Sequence, residues 1–284
     1  MSSRYNQTAS FLLTIDDYRN AINDEIKPSF VNITTITLIS KGCDRIFDIP
    51  AIKDYYEKRN NEVSITSSNG RGKVDTSIKL STKFYNQVTI TYKCDIYKTT
   101  KSIKVFPNGS IQIAGCSNIM NCERVLLQLQ TILNHILGVD VTLDSFRVVM
   151  INSNFSLNYI VHLVEIEDTF SSNDLFDVSY EPDKYSAVKI KFQPANDMKR
   201  VTVSIFSTGK VIITGAETLK EIAYSYRIIN EMISQNTKIK FSPTEKCDVL
   251  DLVMGYRMKD IVSFFKKKQF SPWEYNRINQ QINF

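Results

Sequence analysis

The chain has 284 residues, 43% of them hydrophobic, with 9 glycines and 7 prolines: enough apolar material for an ordinary core, and not the composition of a disordered chain. Thirty-five Lys and Arg against 30 Asp and Glu leave a net charge of +5, which permits a nucleic-acid partner without demanding one. No charged-then-apolar leader and no apolar run of membrane-spanning length is present, so no secreted or membrane form is expected; five cysteines, an odd number without CxxC spacing, point to a reducing, intracellular compartment.

In chain order, residues 1–28 are an N-terminal segment preceding any repeated pattern. A first helix is expected from about Asp48 and Pro50, where an Asx residue and an early proline favour a helix start. Between Val63 and Leu80, Ser67-Ser-Asn-Gly-Arg-Gly-Lys73 reads as a flexible polar turn that enlarges the first repeat, a plain surface loop being the alternative. A strand containing Tyr85, Val88 and Ile90 follows, then the hairpin Val105-Phe-Pro-Asn-Gly-Ser-Ile-Gln-Ile-Ala-Gly115. Cys122, Leu126, Leu129 and Leu133 then recur at the spacing of one helix face.

The same order returns one hundred positions later. Phe106, Gly109, Ile111, Ile113 and Gly115 correspond to Phe206, Gly209, Val211, Ile213 and Gly215, and Tyr85, Val88 and Ile90 to Tyr185, Val188 and Ile190. The helical stripe reappears as Ile222, Tyr226, Ile229 and Ile233. Ungapped repetition over this length indicates a fold built by duplication. Residues 29–140 are assigned to the first repeat and 141–235 to the second. Residues 236–284 are read as a C-terminal helical extension, opened by the capping pattern Ser242-Pro-Thr-Glu245 and continued by Val249, Leu250, Val253, Ile261, Phe264 and Phe265.

Side chains alternate faces along a strand. Ile103, Val105, Ile111 and Ile113, with Val203, Ile205, Val211 and Ile213, therefore form the core face under the helices. The opposite face carries Thr89, Thr91, Ser102, Lys104 and Gln112 in the first copy, and Lys189, Lys191, Thr202, Ser204 and Thr214 in the second. Each copy also places an aromatic at its hairpin, Phe106 or Phe206, and another at the head of the preceding strand, Tyr85 or Tyr185. Exposed aromatics paired by symmetry mark a binding surface, although the hairpin pair could equally cap the core from its rim. His135 and His162 fall on different elements and no catalytic constellation is present, so no enzyme, cofactor, metal or small-molecule substrate is expected.

These residues resemble the TATA-box-binding-protein family, whose repeats carry Phe-x-x-Gly-Lys-x-x-x-Thr-Gly-Ala. The second copy has Phe206, Gly209, Lys210, Thr214, Gly215 and Ala216, and Tyr180-Glu-Pro-Asp183 resembles the family's Tyr-Glu-Pro-Glu; the first copy retains Phe106, Gly109 and Gly115. The resemblance covers roughly residues 29 to 235 and implies an α+β fold: a saddle of curved antiparallel sheet with helices on the convex side. It further implies a concave face seated on the DNA minor groove, with pairs of phenylalanines wedged into base steps. Those wedges fall on Tyr85, Phe106, Tyr185 and Phe206, with Phe84 able to replace Tyr85 if a bulge shifts the strand.

Implied groove contacts are Asn32, Thr34, Gln112, Asn152, Ile212 and Thr214, ungapped alignment having put Met150 opposite Asn32. Phosphate contacts fall on Lys191 and Lys210, which match basic family positions, with Lys104 and Lys189 as additions. The family's acidic stirrup, which contacts the B-type general transcription factor, maps onto Glu181 and Asp183. The expected function is a transcription initiation factor that bends A·T-rich promoter DNA and recruits RNA polymerase machinery. Its Ile-, Asn- and Lys-rich texture would suit an A·T-rich viral or protist genome, with a nucleus or cytoplasmic viral factory as the site of action. The alternative is a saddle-shaped interaction or structural protein that has lost DNA binding, motivated by Tyr85, Tyr185, Lys104 and Met150.

Overall fold

The computed structural model describes residues 2–241, except 24–25, 42–45, 70–71, 85, 95–99, 117–118, 139–140, 142 and 144–145. The expected C-terminal extension from residue 242 onward, and Tyr85, therefore lie outside the described residues. One antiparallel sheet of 11 strands runs β2-β3-β4-β5-β6-β1-β7-β11-β10-β9-β8. Its first half contains β1 (Asn32–Lys41), β2 (Glu62–Asn69), β3 (Gly72–Phe84), β4 (Gln87–Cys94), β5 (Lys101–Val105) and β6 (Ser110–Cys116). The second contains β7 (Phe146–Ser156), β8 (Asp177–Ser179), β9 (Ala187–Phe192), β10 (Val201–Phe206) and β11 (Lys210–Ala216).

Helices α2 (Ile49–Glu57), α3 (Ile119–Leu137), α4 (Leu163–Ser171) and α5 (Leu219–Ser234) pack on one face of this sheet. The stripes expected from the sequence are buried there: Cys122, Leu126, Leu129 and Leu133 on α3, and Ile222, Tyr226, Ile229 and Ile233 on α5. Each large apolar side chain removed from water contributes about 1.5–3 kcal/mol, so these stripes are a main attachment of the helices to the sheet. Local chemistry sets the helix starts. The Asp48 carboxylate accepts from Ala51 N at 2.9 Å, and Thr218 with Glu221 forms a reciprocal capping box. Burial disfavours the Glu221 carboxylate, but hydrogen bonds from the backbone N–H groups of Lys199, Glu217 and Thr218 outweigh it and hold its pKa below the ordinary glutamate value.

The two halves are related by a pseudo-dyad that the strand register locates. Ile36 pairs with Cys116 as Ile151 pairs with Ala216, and Ile36 and Ile151 pair with each other. The axis passes through that pair, and β1 maps onto β7 by adding 115. Both copies slip register beside Gly115 and Gly215, whose φ of 95° and 88° belongs to the left-handed region that glycine tolerates best.

The structure adds two elements. The polar turn belongs to a hairpin and not to a plain surface loop: β2 pairs with β3 from Glu62↔Lys79 to Asn69↔Gly72, and β3 pairs with β4, extending the sheet. A run of Ser, Asn and Lys hides this because its strands lie at the sheet edge, where little apolar surface is needed. The N-terminal segment contains a helix, α1 (Ser2–Ala21), whose Phe11 and Ile15 are buried and which packs on α5. Phe11, Ile15, Tyr18 and Ile22 repeat at spacings of four, three and four, a helical signal legible in the sequence. The core is also unequal between repeats: buried Lys101, Cys116 and Cys122 stand where Val201, Ala216 and Ile222 stand in the second copy. Cys94, Cys116 and Cys122 are free thiols.

Candidate nucleic-acid interface

The sheet face away from the helices is built by strand alternation, and its rows follow from the register. In the first half Thr89, Lys104, Gln112, Ile39 and Arg147 are successive cross-strand neighbours on β4, β5, β6, β1 and β7. The matching row of the second half is Lys189, Ser204, Ile212, Asn154 and Asn32. Lys191, Thr202 and Thr214 form a second row. The helix side of the same strands is sealed, with Ile103, Val105, Val203 and Ile205 fully buried. Polar and basic groups thus gather on the one broad sheet surface that, among the described residues, no helix covers.

The second repeat brings two of these aromatics together. Tyr185 and Phe206 meet edge to face, ring centroids 5.8 Å apart, and the Lys189 ammonium sits 4.2 Å from the Tyr185 ring centre. Tyr185 is 37% exposed. Phe206 begins a tight turn closed by Gly209 N–H donating to its carbonyl at 2.9 Å. Phe106 occupies the same place in the first repeat, where Gly109 N–H donates to its carbonyl at 3.1 Å, and it is half-buried.

Between β8 and β9, Lys184 N–H and Tyr185 N–H both donate to the Glu181 carbonyl at 2.9 Å. Glu181 and Asp183 are exposed there, and the Glu181 carboxylate is ion-paired with Lys184. The corresponding connection in the first repeat is far shorter, since Phe84 already pairs with Gln87.

At the centre of the face the register corrects the alignment. Adding 115 places Arg147, not Met150, opposite Asn32, while Met150 corresponds to Thr35 and Asn152 to Thr37. Paired bulges, at Ile33/Thr35 and Thr37/Leu38, shift both strands and defeat an ungapped comparison. Thr34 falls in the first of them, and its hydroxyl is taken up by the Asn152 carbonyl at 3.0 Å. Asn152 does reach the face: its amide nitrogen donates to the Thr35 hydroxyl at 3.0 Å, leaving its amide oxygen buried without a hydrogen bond. Gln112, Ile212 and Thr214 lie on the face, the Thr214 hydroxyl donating to the Thr202 carbonyl at 3.3 Å. Asn154 and Arg147 were missed. Two-residue alternation from Asn152 reaches Asn154, whereas no sequence signal locates the bulge that brings Arg147 onto the face.

Lys191 and Lys210 are exposed and Lys104 half-buried, all on this side of the sheet. Glu62 and Asp177 are the acidic groups at the sheet edges, Glu62 paired with Lys79 at 3.0 Å and Asp177 with Arg200 at 3.8 Å. Among the described residues no group of three or more His, Cys, Asp or Glu is placed to hold a metal ion, and no helix is long and apolar enough to cross a membrane.

A TATA-box-binding protein-like protein of Acanthamoeba polyphaga mimivirus is 30% identical over 274 residues, covering 84% of this chain and 72% of that protein. The chain belongs to the TATA-box-binding-protein family. The family model described as transcription factor TFIID, or TATA-binding protein, matches residues 145–236, the half in which the aromatic corner and the hairpin motif are both complete. The TATA-box-binding protein of Thermococcus celer is 32% identical over 78 residues, 27% of this chain and 38% of that protein. The solved structure of Methanococcus jannaschii TBP is 15% identical, covers 73% of this chain and all of its own, and superposes with a TM-score of 0.49.

Proposed function

We propose that this member of the TATA-box-binding-protein family is a non-enzymatic transcription initiation factor that seats its uncovered sheet face in the minor groove of A·T-rich promoter DNA and bends it. The observation that carries this reading is the corner where Tyr185 and Phe206 stand 5.8 Å apart, with Lys189, Lys191 and Lys210 on neighbouring strands. Paired rings at one end of a sheet give a wedge for a base step, and the lysines give partners for the flanking phosphates. Inserting a ring costs unstacking, and smooth bending costs on the order of 1–6 kcal/mol, so the basic groups must recover that energy from phosphates. The Tyr185 hydroxyl needs a polar partner in the stack, because leaving it unpaired costs on the order of 1–3 kcal/mol.

The exposed loop carrying Glu181 and Asp183 is proposed to receive the B-type general transcription factor, with polymerase machinery recruited through it. Action in a nucleus or in a cytoplasmic viral factory accords with the viral relative.

The test is a duplex labelled at both ends, in A·T-rich and G·C-rich versions, titrated with wild type and with Tyr185→Ala/Phe206→Ala. Tight binding of the A·T-rich duplex with a shortened end-to-end distance, lost in the variant, is expected. Absence of binding, or binding without bending that ignores both rings, would leave a saddle-shaped interaction protein.

A further inference from the structure

The duplication offers an internal control: corresponding positions in the two halves of the uncovered face have the same backbone setting and different chemistry. Lys104 corresponds to Ser204, Arg147 to Asn32, and Ile39 to Asn154, by the register that relates the two halves. Lysine and arginine carry donors only, whereas serine and asparagine carry both donors and acceptors. In the minor groove an A·T pair offers only acceptors, and a G·C pair adds one donor, the guanine amino group. Over the first half that amino group meets an ammonium and a guanidinium, donor against donor, in a contact from which water has been removed. Over the second half it can donate to Ser204 Oγ or to the amide oxygens of Asn154 and Asn32.

We infer that the first half of the face requires an A·T half-site through Lys104 and Arg147, while the second half admits a G·C pair through Ser204, Asn154 and Asn32. An asymmetric site then binds in one orientation, with the first repeat over its purely A·T half. The inference rests on the DNA-binding reading above and adds to it which residues choose the direction. Gln112 and Ile212, the corresponding pair between these positions, do not add to this bias, since the glutamine amide brings an acceptor as well as donors to the first half and the isoleucine brings neither to the second; the discrimination rests on Lys104 and Arg147.

Three duplexes test it: all A·T, one G·C pair in one half, and one G·C pair in each half. With unlike halves the first replacement costs only about a factor of two, the statistical loss of one of two orientations, because the protein turns round. The second replacement cannot be avoided and should cost at least about fivefold, the low end of a mismatched base pair. Lys104→Ser/Arg147→Asn replaces the donor-only groups of the first half by the side chains found at those two positions of the second, and its second replacement should cost no more than its first. Ser204→Lys/Asn32→Arg/Asn154→Ile makes the opposite change, and its first replacement should already cost the full factor. Equal successive losses in wild type would overturn the inference and leave DNA binding standing. Failure to bind even the all-A·T duplex would overturn both.

Discussion

Gly209 closes the turn that carries Phe206, so replacing it tests whether the hairpin holds the ring in place. Its φ is +78°, and a Cβ there would stand 2.0 Å from the carbonyl oxygen of Tyr159. That oxygen is main chain and cannot move alone. The segment around it is fastened to the hairpin by Leu157 N–H donating to the Gly209 carbonyl at 2.8 Å and Val161 N–H to the Ser207 carbonyl at 2.9 Å. Left-handed backbone costs alanine about 1–2 kcal/mol, and each hydrogen bond lost as the segment is pushed away costs about 0.5–1.5 kcal/mol. Gly209→Ala should therefore destabilise by about 2–5 kcal/mol.

Gly138 is the matched control, with φ +63° and no atom within 4 Å of the place a Cβ would take. Gly138→Ala meets the strain alone, partly offset by about 0.4–1 kcal/mol from the stiffer unfolded chain, and should cost no more than about 1.5 kcal/mol. Urea denaturation of both variants measures the difference, and end-to-end distance change on an A·T-rich duplex, taken where both remain folded, shows whether only Gly209→Ala impairs bending. Equal destabilisation by the two substitutions would refute the clash argument.

Two further outcomes are expected. Each of Lys191→Ala and Lys210→Ala, if it removes one phosphate contact, should flatten the dependence of log affinity on log salt by about 0.9, measured by titration between low and moderate salt; unchanged slopes would place both ammonium groups off the phosphates. Glu221 has a lowered pKa in the folded state, so its stabilisation is present above the unfolded glutamate value of about 4.3 and is lost as pH falls through the folded value. Glu221→Gln should cost about 1 kcal/mol near pH 7 by weakening the helix cap, and the gap between variant and wild type should narrow as pH falls below the unfolded glutamate value of about 4.3; a gap that does not narrow on acidification would exclude the charge as its source.

Local chemistry made much of this protein legible without a structure. Repetition at one hundred residues, the parity of Ile103, Val105, Ile111 and Ile113, and the spacing of Ile222, Tyr226, Ile229 and Ile233 identified the core face, both helices and the face left uncovered. Such signals survive because burial imposes a period on each element separately. The Asp48 cap and the turn glycines were legible for a similar reason, each being decided within a few residues.

What escaped depended on partners distant in the chain. The bulges that bring Arg147 rather than Met150 opposite Asn32 arise from pairing between β1 and β7, more than one hundred residues apart. The polar run from Ser67 to Lys73 is the exception: its partners are near in the chain, from Ser67↔Val74 to Asn69↔Gly72, and it escaped because its strands carry too few apolar residues to show a period. Residue order alone is enough to specify a duplicated sheet with helices on one side, since hydrophobic periodicity is local. Which side chains share a row is settled in the folded molecule, because register is a relation between strands, and a slip of one residue moves every later side chain to the other face.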